Sequence, residues 1–229
     1  MKADQLIDYK IVYSRRRSVG INIGPDSGVV VRAPYRTSLK TIEKIVRSKS
    51  KWIKKHLERH SSLIRLNENK EYIDGESHYY RGNEYFLRLV VSERSFVNII
   101  GDIIEIGLKS EEDKIKIKVL LDRWYREMAQ ELFRGKFNDI LLRLKDYNFL
   151  PAGFNVRVMK GRWGSCNSKG KITISADLVK LEETYLEYVI LHELCHLKHH
   201  NHSPEYYRLL SEVFPKWKSV RKDLRRYIR

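Results

Sequence analysis

The segment His192-Glu193-Leu194-Cys195-His196 constrains this chain more than any other. On a helix, residues four apart project from one face, so His192 and His196 can grip one cation. Leu186, Val189, Ile190, Leu194 and Leu197 can bury the opposite side. A helix is therefore expected from Glu182 to about His199, with acidic residues in its first turn. Glu193, beside the first histidine, is placed to act as a base on water activated by the metal rather than as a ligand.

His202 lies too far along for the same helical grip, so it reaches the ion only if the chain turns. Asn201 tolerates a left-handed conformation at a helix end. Ser203-Pro204-Glu205 then reads as a new helix start, with a serine cap, proline at the first position and an acid in the first turn. His202 at this corner is the expected third ligand, with Glu205 and Glu212 as alternative oxygen donors. Three neutral imidazoles with one open position suit a catalytic zinc site. The same spacing occurs in metzincin proteases, but position 199 is histidine where their turn needs glycine, and no methionine follows His202. That assignment is rejected. His199 and His200 read as surface residues or partners of the ligands, and Cys195 as a small core residue.

Alternating patterns predict three short strands, Tyr9 to Tyr13, Ser18 to Ile23 and Gly28 to Ala33, forming a small antiparallel sheet. The turn Gly24-Pro25-Asp26-Ser27-Gly28 separates the last two. One helix is expected from the Ser38 cap to about His60, apolar at Ile42, Ile45, Val46, Trp52, Ile53 and Leu57 and basic opposite. More strands follow: His78 to Arg81, Tyr85 to Val91, Val97 to Ile100 and Ile103 to Ile106. A long helix runs from about Glu112 towards Tyr147, with Val119, Leu120, Trp124, Met128, Leu132, Phe137, Leu141 and Leu144 on its apolar side. Gly135 is a candidate kink in it. Strands at Asn155 to Lys160 and Lys171 to Ser175 precede the histidine helix, and an amphipathic tract from Ser203 to about Arg226 follows it. The class is α+β, with a β-rich N-terminal portion carrying one basic helix over residues 1–110 and a catalytic domain with a small antiparallel sheet over 111–229.

The balance of 45 Lys+Arg against 29 Asp+Glu gives a net charge of +16, a field that favours polyanions such as nucleic acid, nucleotides or acidic protein segments. Two cysteines, the absence of an apolar run of membrane-spanning length and an N-terminus without a hydrophobic stretch point to a soluble cytoplasmic chain. No membrane partner is expected.

A second signal lies upstream, Lys160-Gly161-Arg162-Trp163-Gly164-Ser165-Cys166. Two glycines around a tryptophan imply close backbone approach, and Arg162 and Ser165 offer contacts to anions or carbonyls. Together with Tyr188-Val189-Ile190 before the HExxH and Asn201-His202-Ser203-Pro204 after it, this string resembles the YgjP-like metal-dependent hydrolases. That family is related to the M48-type zincin peptidases and the SprT-like proteases. The likeness extends to Ser14-Arg15-Arg16-Arg17-Ser18, the Val29 to Pro34 strand, Lys51-Trp52-Ile53 and Trp124-Tyr125. It implies a zincin-like catalytic fold in which His192, His196 and His202 bind one zinc ion and Glu193 is the general base.

The expected activity is metal-assisted hydrolysis of a peptide or protein. The strand near Trp163 would pair with an extended substrate, with Arg162, Trp163 and Ser165 as substrate contacts. Arg162 or His199 would stabilise an oxyanion. The basic excess motivates two alternatives on the same site: hydrolysis of nucleoside triphosphates to release pyrophosphate, and a protease held on DNA by its basic helices.

Overall fold

The computed structural model describes residues 7–24, 28–61, 64–66 and 70–228. The chain divides into two compact units, Met1–Ile64 and Arg65–Arg229. This division falls ahead of the 110/111 boundary expected from sequence. Leu87, Ile104, Ile106 and Leu108 are buried in one apolar cluster with Leu121 and Trp124, so the strands that carry them belong with the C-terminal unit.

In the first unit β3 (Gly28–Pro34) lies between β1 (Lys10–Ser14) and β2 (Gly20–Gly24). Val29, Val31 and Ala33 alternate into the core, as a half-buried strand requires. β2 pairs antiparallel with β3, but β1 pairs parallel to it, against the expected all-antiparallel sheet. Alternation marks which face is buried and is silent on strand direction. Pro25, Asp26 and Ser27 of the expected turn lie outside the described residues. The single expected helix is two, α1 (Leu39–Ser48) and α2 (Ser50–Ser61). Ser38 caps α1 as expected, accepting from the Thr41 N–H at 3.2 Å. Ser48 Oγ donates to the Ile45 carbonyl at 2.8 Å, and the Lys49 N–H is shared by the Ile45 and Val46 carbonyls, so the chain tightens and restarts. Ile42, Val46 and Ile53 are buried, whereas Trp52 is exposed.

The division falls within the two-residue strand β4 (Ile64–Arg65), and the second unit begins at Arg65. Its larger sheet runs β5 (Ser77–Tyr80), β6 (Asn83–Val91), β8 (Ile103–Leu108), β7 (Phe96–Ile100), with β6 parallel to β8. Arg81 and Gly82, at φ 52° and 81°, turn the β5–β6 hairpin in the left-handed region that tight hairpins need. α3 (Lys114–Arg143) starts at Asp113, whose side chain accepts from the Lys116 N–H at 2.9 Å, and passes Gly135 without a break. Leu120, Trp124 and Phe137 are buried as expected. Val119, however, is 57% exposed, and Ile117, Leu121, Tyr125, Phe133 and Ile140 fill the core, a wider face than one narrow stripe.

A smaller sheet holds β10 (Gly164–Cys166) at one edge, β11 (Lys171–Ser175) in the middle and β9 (Gly153–Arg157) beyond. It too is mixed rather than antiparallel: β10 opposes β11, and β9 runs parallel to it. α4 (Glu183–Cys195), α5 (Pro204–Val213), α6 (Trp217–Leu224) and the two-residue β12 (Tyr227–Ile228) complete the unit. Pro215 breaks the expected single C-terminal helix in two, because it has no N–H to donate and excludes the helical conformation from Phe214. The α+β class expected from sequence is the class of the fold. No described helix is long and apolar enough to cross a membrane.

His78, 5% exposed on β5, places Nε2 2.9 Å from Glu76 Oε2. Burial lowers its pKa to about 4, outweighing the hydrogen bond to Glu76. The folded chain thus refuses a proton that an unfolded histidine takes up near 6.5. Stability should be complete above pH 6.5 and fall as the pH drops towards 4, by on the order of 3 kcal/mol for this group. Urea midpoints measured from pH 7 to 4.5 should decline less steeply in His78→Gln. Parallel declines would remove His78 as the cause.

Candidate metal centre and catalytic cleft

α4 is buried along Leu186, Val189, Ile190, Leu191 and Leu194, which turns His192 and Glu193 towards a cleft of about 280 Å³. The helix stops earlier than the expected His199, and His196 is its C-cap. Leu197 N–H donates to the Leu194 carbonyl at 3.0 Å and Lys198 N–H to the Cys195 carbonyl at 3.1 Å, a tightened last turn. Because the helix has already ended, Asn201 does not take the left-handed conformation expected of it. The restart is as expected: Ser203 caps α5, accepting from the Tyr206 N–H at 3.4 Å, with Pro204 next.

This corner brings His202 back to α4. One ligand atom from each of His192, His196 and His202 lies within 4.8 Å of the others, the arrangement of a metal-holding cluster. Nε2 of His192 and Nε2 of His202 face each other at 3.2 Å. The outward nitrogens are spoken for. His196 Nδ1 donates to the His199 carbonyl at 3.0 Å. The Tyr206 hydroxyl donates to the His192 carbonyl at 3.1 Å, so at 2.6 Å it accepts from His192 Nδ1–H. These bonds place the protons on Nδ1 and turn the Nε2 lone pairs inward, as orienting partners do at metal sites. Burial above all, then the charges of His196, His202 and Arg221, lowers His192 to about 3. His202 is lowered by burial, His196 and Arg221. Neutral imidazoles are the form that binds metal.

Glu193 is 5% exposed and stands apart from that cluster. Burial pushes it up to about 7, against the backbone N–H of Cys166 and the charge of Arg162. The edge strand β10 crosses it so closely that a Cβ on Gly164 would lie 2.7 Å from Glu193 Oε1 and 2.8 Å from Val189 Cγ1. The glycine expected to mark close approach therefore admits the carboxyl group beneath it.

Arg162 and Trp163 line the cleft, whereas Ser165 sits mid-strand on β10, opposite Thr173, and does not line it. Glu205 is fully exposed at the start of α5, where Ser203 lowers its pKa, and Glu212 is exposed beyond it. Neither joins the histidine cluster. Sequence reasoning missed Tyr206, although its place one turn into a capped helix directs it back over that turn. It also missed Tyr188, Arg221 and Arg225 in the cleft wall. The sequence marked the last helix as rich in Lys and Arg, able to hold anionic groups, but nothing in the tract tells how α6 returns Arg221 to α4.

A metal-competent histidine triad with a buried glutamate beside it, on an α+β scaffold, defines a metal-dependent hydrolase. The chain belongs to the YgjP-like family: residues 17–227 match the model of its metallopeptidase domain. No curated protein matches the sequence. Among solved structures it is similar to the metallopeptidase zymogen abylysin of Pyrococcus abyssi, at 27% identity over 38% of this chain and 90% of that one, with a TM-score of 0.35. The zymogen jannalysin of Methanocaldococcus jannaschii is 24% identical over 40% of this chain and 92% of that one, with a TM-score of 0.36.

Proposed function

We propose that this protein is a zinc-dependent peptidase in which His192, His196 and His202 hold the ion and Glu193 is the general base. The observation that carries the reading is the convergence of the histidine nitrogens beside a buried glutamate and an edge strand. The Nε2–Nε2 separation of 3.2 Å is close to the roughly 3.3 Å that two imidazoles adopt on a tetrahedral ion with bonds of about 2.0–2.1 Å. An all-nitrogen set of three suits zinc with one position open. Bound zinc supplies Lewis acidity, which polarises a carbonyl and acidifies water near neutral pH.

The protein's own groups do the rest. Glu193, buried beside the histidine cluster, can take a proton from the attacking water and return it to the leaving amine. The Cys166 N–H keeps its carboxyl group oriented. Flanking β10, the Trp163 carbonyl accepts from the Ser175 N–H of β11 at 2.8 Å and the Asn167 N–H donates to the Lys171 carbonyl at 3.1 Å. Antiparallel alternation then turns the backbone groups of Gly164 and Cys166 away from β11; the Cys166 N–H is taken by Glu193, which leaves the Gly164 groups and the Cys166 carbonyl for an added strand. An extended peptide can add there as a further strand, its backbone lying across Glu193. Arg162, in the cleft wall, is placed to donate to a carbonyl oxygen of that peptide. The family match, to a metallopeptidase domain, favours a peptide over a nucleotide or nucleic-acid substrate.

The test is to incubate the zinc-loaded full chain with an unfolded protein and, separately, with a nucleoside triphosphate panel. Peptide-bond cleavage that stops with a chelator and returns with zinc is expected. Chelator-sensitive pyrophosphate release without proteolysis would overturn the peptidase reading.

A further inference from the structure

We infer that the catalytic cleft selects peptides bearing a carboxylate close to the scissile bond, with Arg221 as the principal anchor and Arg225 and Arg162 as flanking donors. The inference rests on the peptidase reading above. Three guanidinium groups line the cleft, and Glu193 is its sole acidic lining residue. Arg81, Arg88, Arg123 and Arg143 each have a carboxylate within ion-pair distance. Among the described residues, no carboxylate stands in that relation to Arg162, Arg221 or Arg225.

Arg221 is held as an anchor should be. It projects from α6, partly buried, with Nη1 donating to the Tyr207 hydroxyl at 3.3 Å. Its guanidinium stands 6.0 Å from the ring centres of both Tyr207 and Trp217. Those rings are themselves stacked, 4.9 Å apart at 17°, and Trp217 Nε1 donates to Ser211 Oγ at 2.8 Å. A planar fork held beside an aromatic pair, with Nη1 its one donor bonded to a side chain among the described residues, keeps donors free for the bidentate geometry of a carboxylate.

A divalent cation and three guanidinium groups around one carboxylate leave the cleft strongly positive. A neutral peptide leaves that charge unbalanced, whereas a substrate carboxylate compensates it and is drawn in by it. Two sources share this chemistry: an acidic side chain beside the scissile bond and the free C-terminus of a peptide.

Four otherwise identical peptides separate them, combining Glu or Gln next to the cleaved bond with a carboxylate or an amide at the C-terminus. With the zinc-loaded full chain, kcat/KM should favour one or both carboxylate-bearing members over the Gln amide peptide by roughly 10- to 100-fold, the range of a charge-assisted bond. The member favoured identifies the source. Arg221→Ala should lower kcat/KM on the favoured peptide at least tenfold more than on the Gln amide peptide, and Arg221→Lys should recover only part of that difference. Arg225→Ala, on an exposed residue, should reduce the preference to a smaller extent and guards against a misfolded Arg221 variant. Raising the salt should erode the preference. Efficient cleavage of all four peptides without preference would overturn the carboxylate subsite and leave the peptidase reading standing. Cleavage of none, with zinc bound, would overturn both.

Discussion

Glu193→Gln is expected to lower kcat for peptide hydrolysis by about 10²- to 10⁴-fold, the usual contribution of a general base, while leaving the bound metal in place. The two effects separate because Glu193 stands outside the histidine cluster. Glutamine has the same shape, so it fits under Gly164, where a single extra carbon on the strand would meet the carboxyl oxygen. Its amide oxygen can still accept from the Cys166 N–H that now orients the carboxyl group. What glutamine cannot do is accept a proton from water. Kinetics and metal content measured on the same preparation check both halves. Full activity of the variant would remove Glu193 as the base, and loss of metal would make it a ligand or a support for one.

His202→Ala should cost the metal itself, with affinity falling roughly 100-fold or more and hydrolysis falling with it, since even residues that only orient ligands are worth 10- to 100-fold. Glu205→Ala and Glu212→Ala should retain the ion. Glu205 is fully exposed and its carboxyl group is engaged by Ser203, whereas His202 Nε2 lies 3.2 Å from its counterpart on His192. Competition with a chromogenic chelator ranks the three variants directly. A loss of metal in either glutamate variant with retention in His202→Ala would transfer the third position to oxygen.

The site was more legible in the sequence than the scaffold, for physical reasons. His192, Glu193 and His196 share one helix, where spacing alone determines which side chains meet. His202 was legible because Ser203 and Pro204 are a local start signal that forces a corner just after it. Partners from elsewhere in the chain had no such marker. Arg221 reaches α4 through the packing of α6, which no local pattern encodes, whereas Tyr206 follows from the same capped start that places His202. Strand direction was equally silent: β1, β9 and β6 each pair parallel to a neighbour, although their alternation reads the same in either direction. The breaks in the helices were readable in principle, at Pro215 by its missing donor and at Ser48 by its competing hydroxyl.

His192 and His202 lie ten residues apart on either side of the α4–α5 corner, with the Tyr206 hydroxyl bound to the first of them. An ion gripped by both therefore works as a cross-link as well as a reagent. It closes a short loop and ties the start of α5 to the end of α4, so the free energy of metal binding becomes free energy of folding at that corner. Metal loading should therefore add stability at that corner to what the burial of Tyr206, Leu209 and Leu210 already supplies.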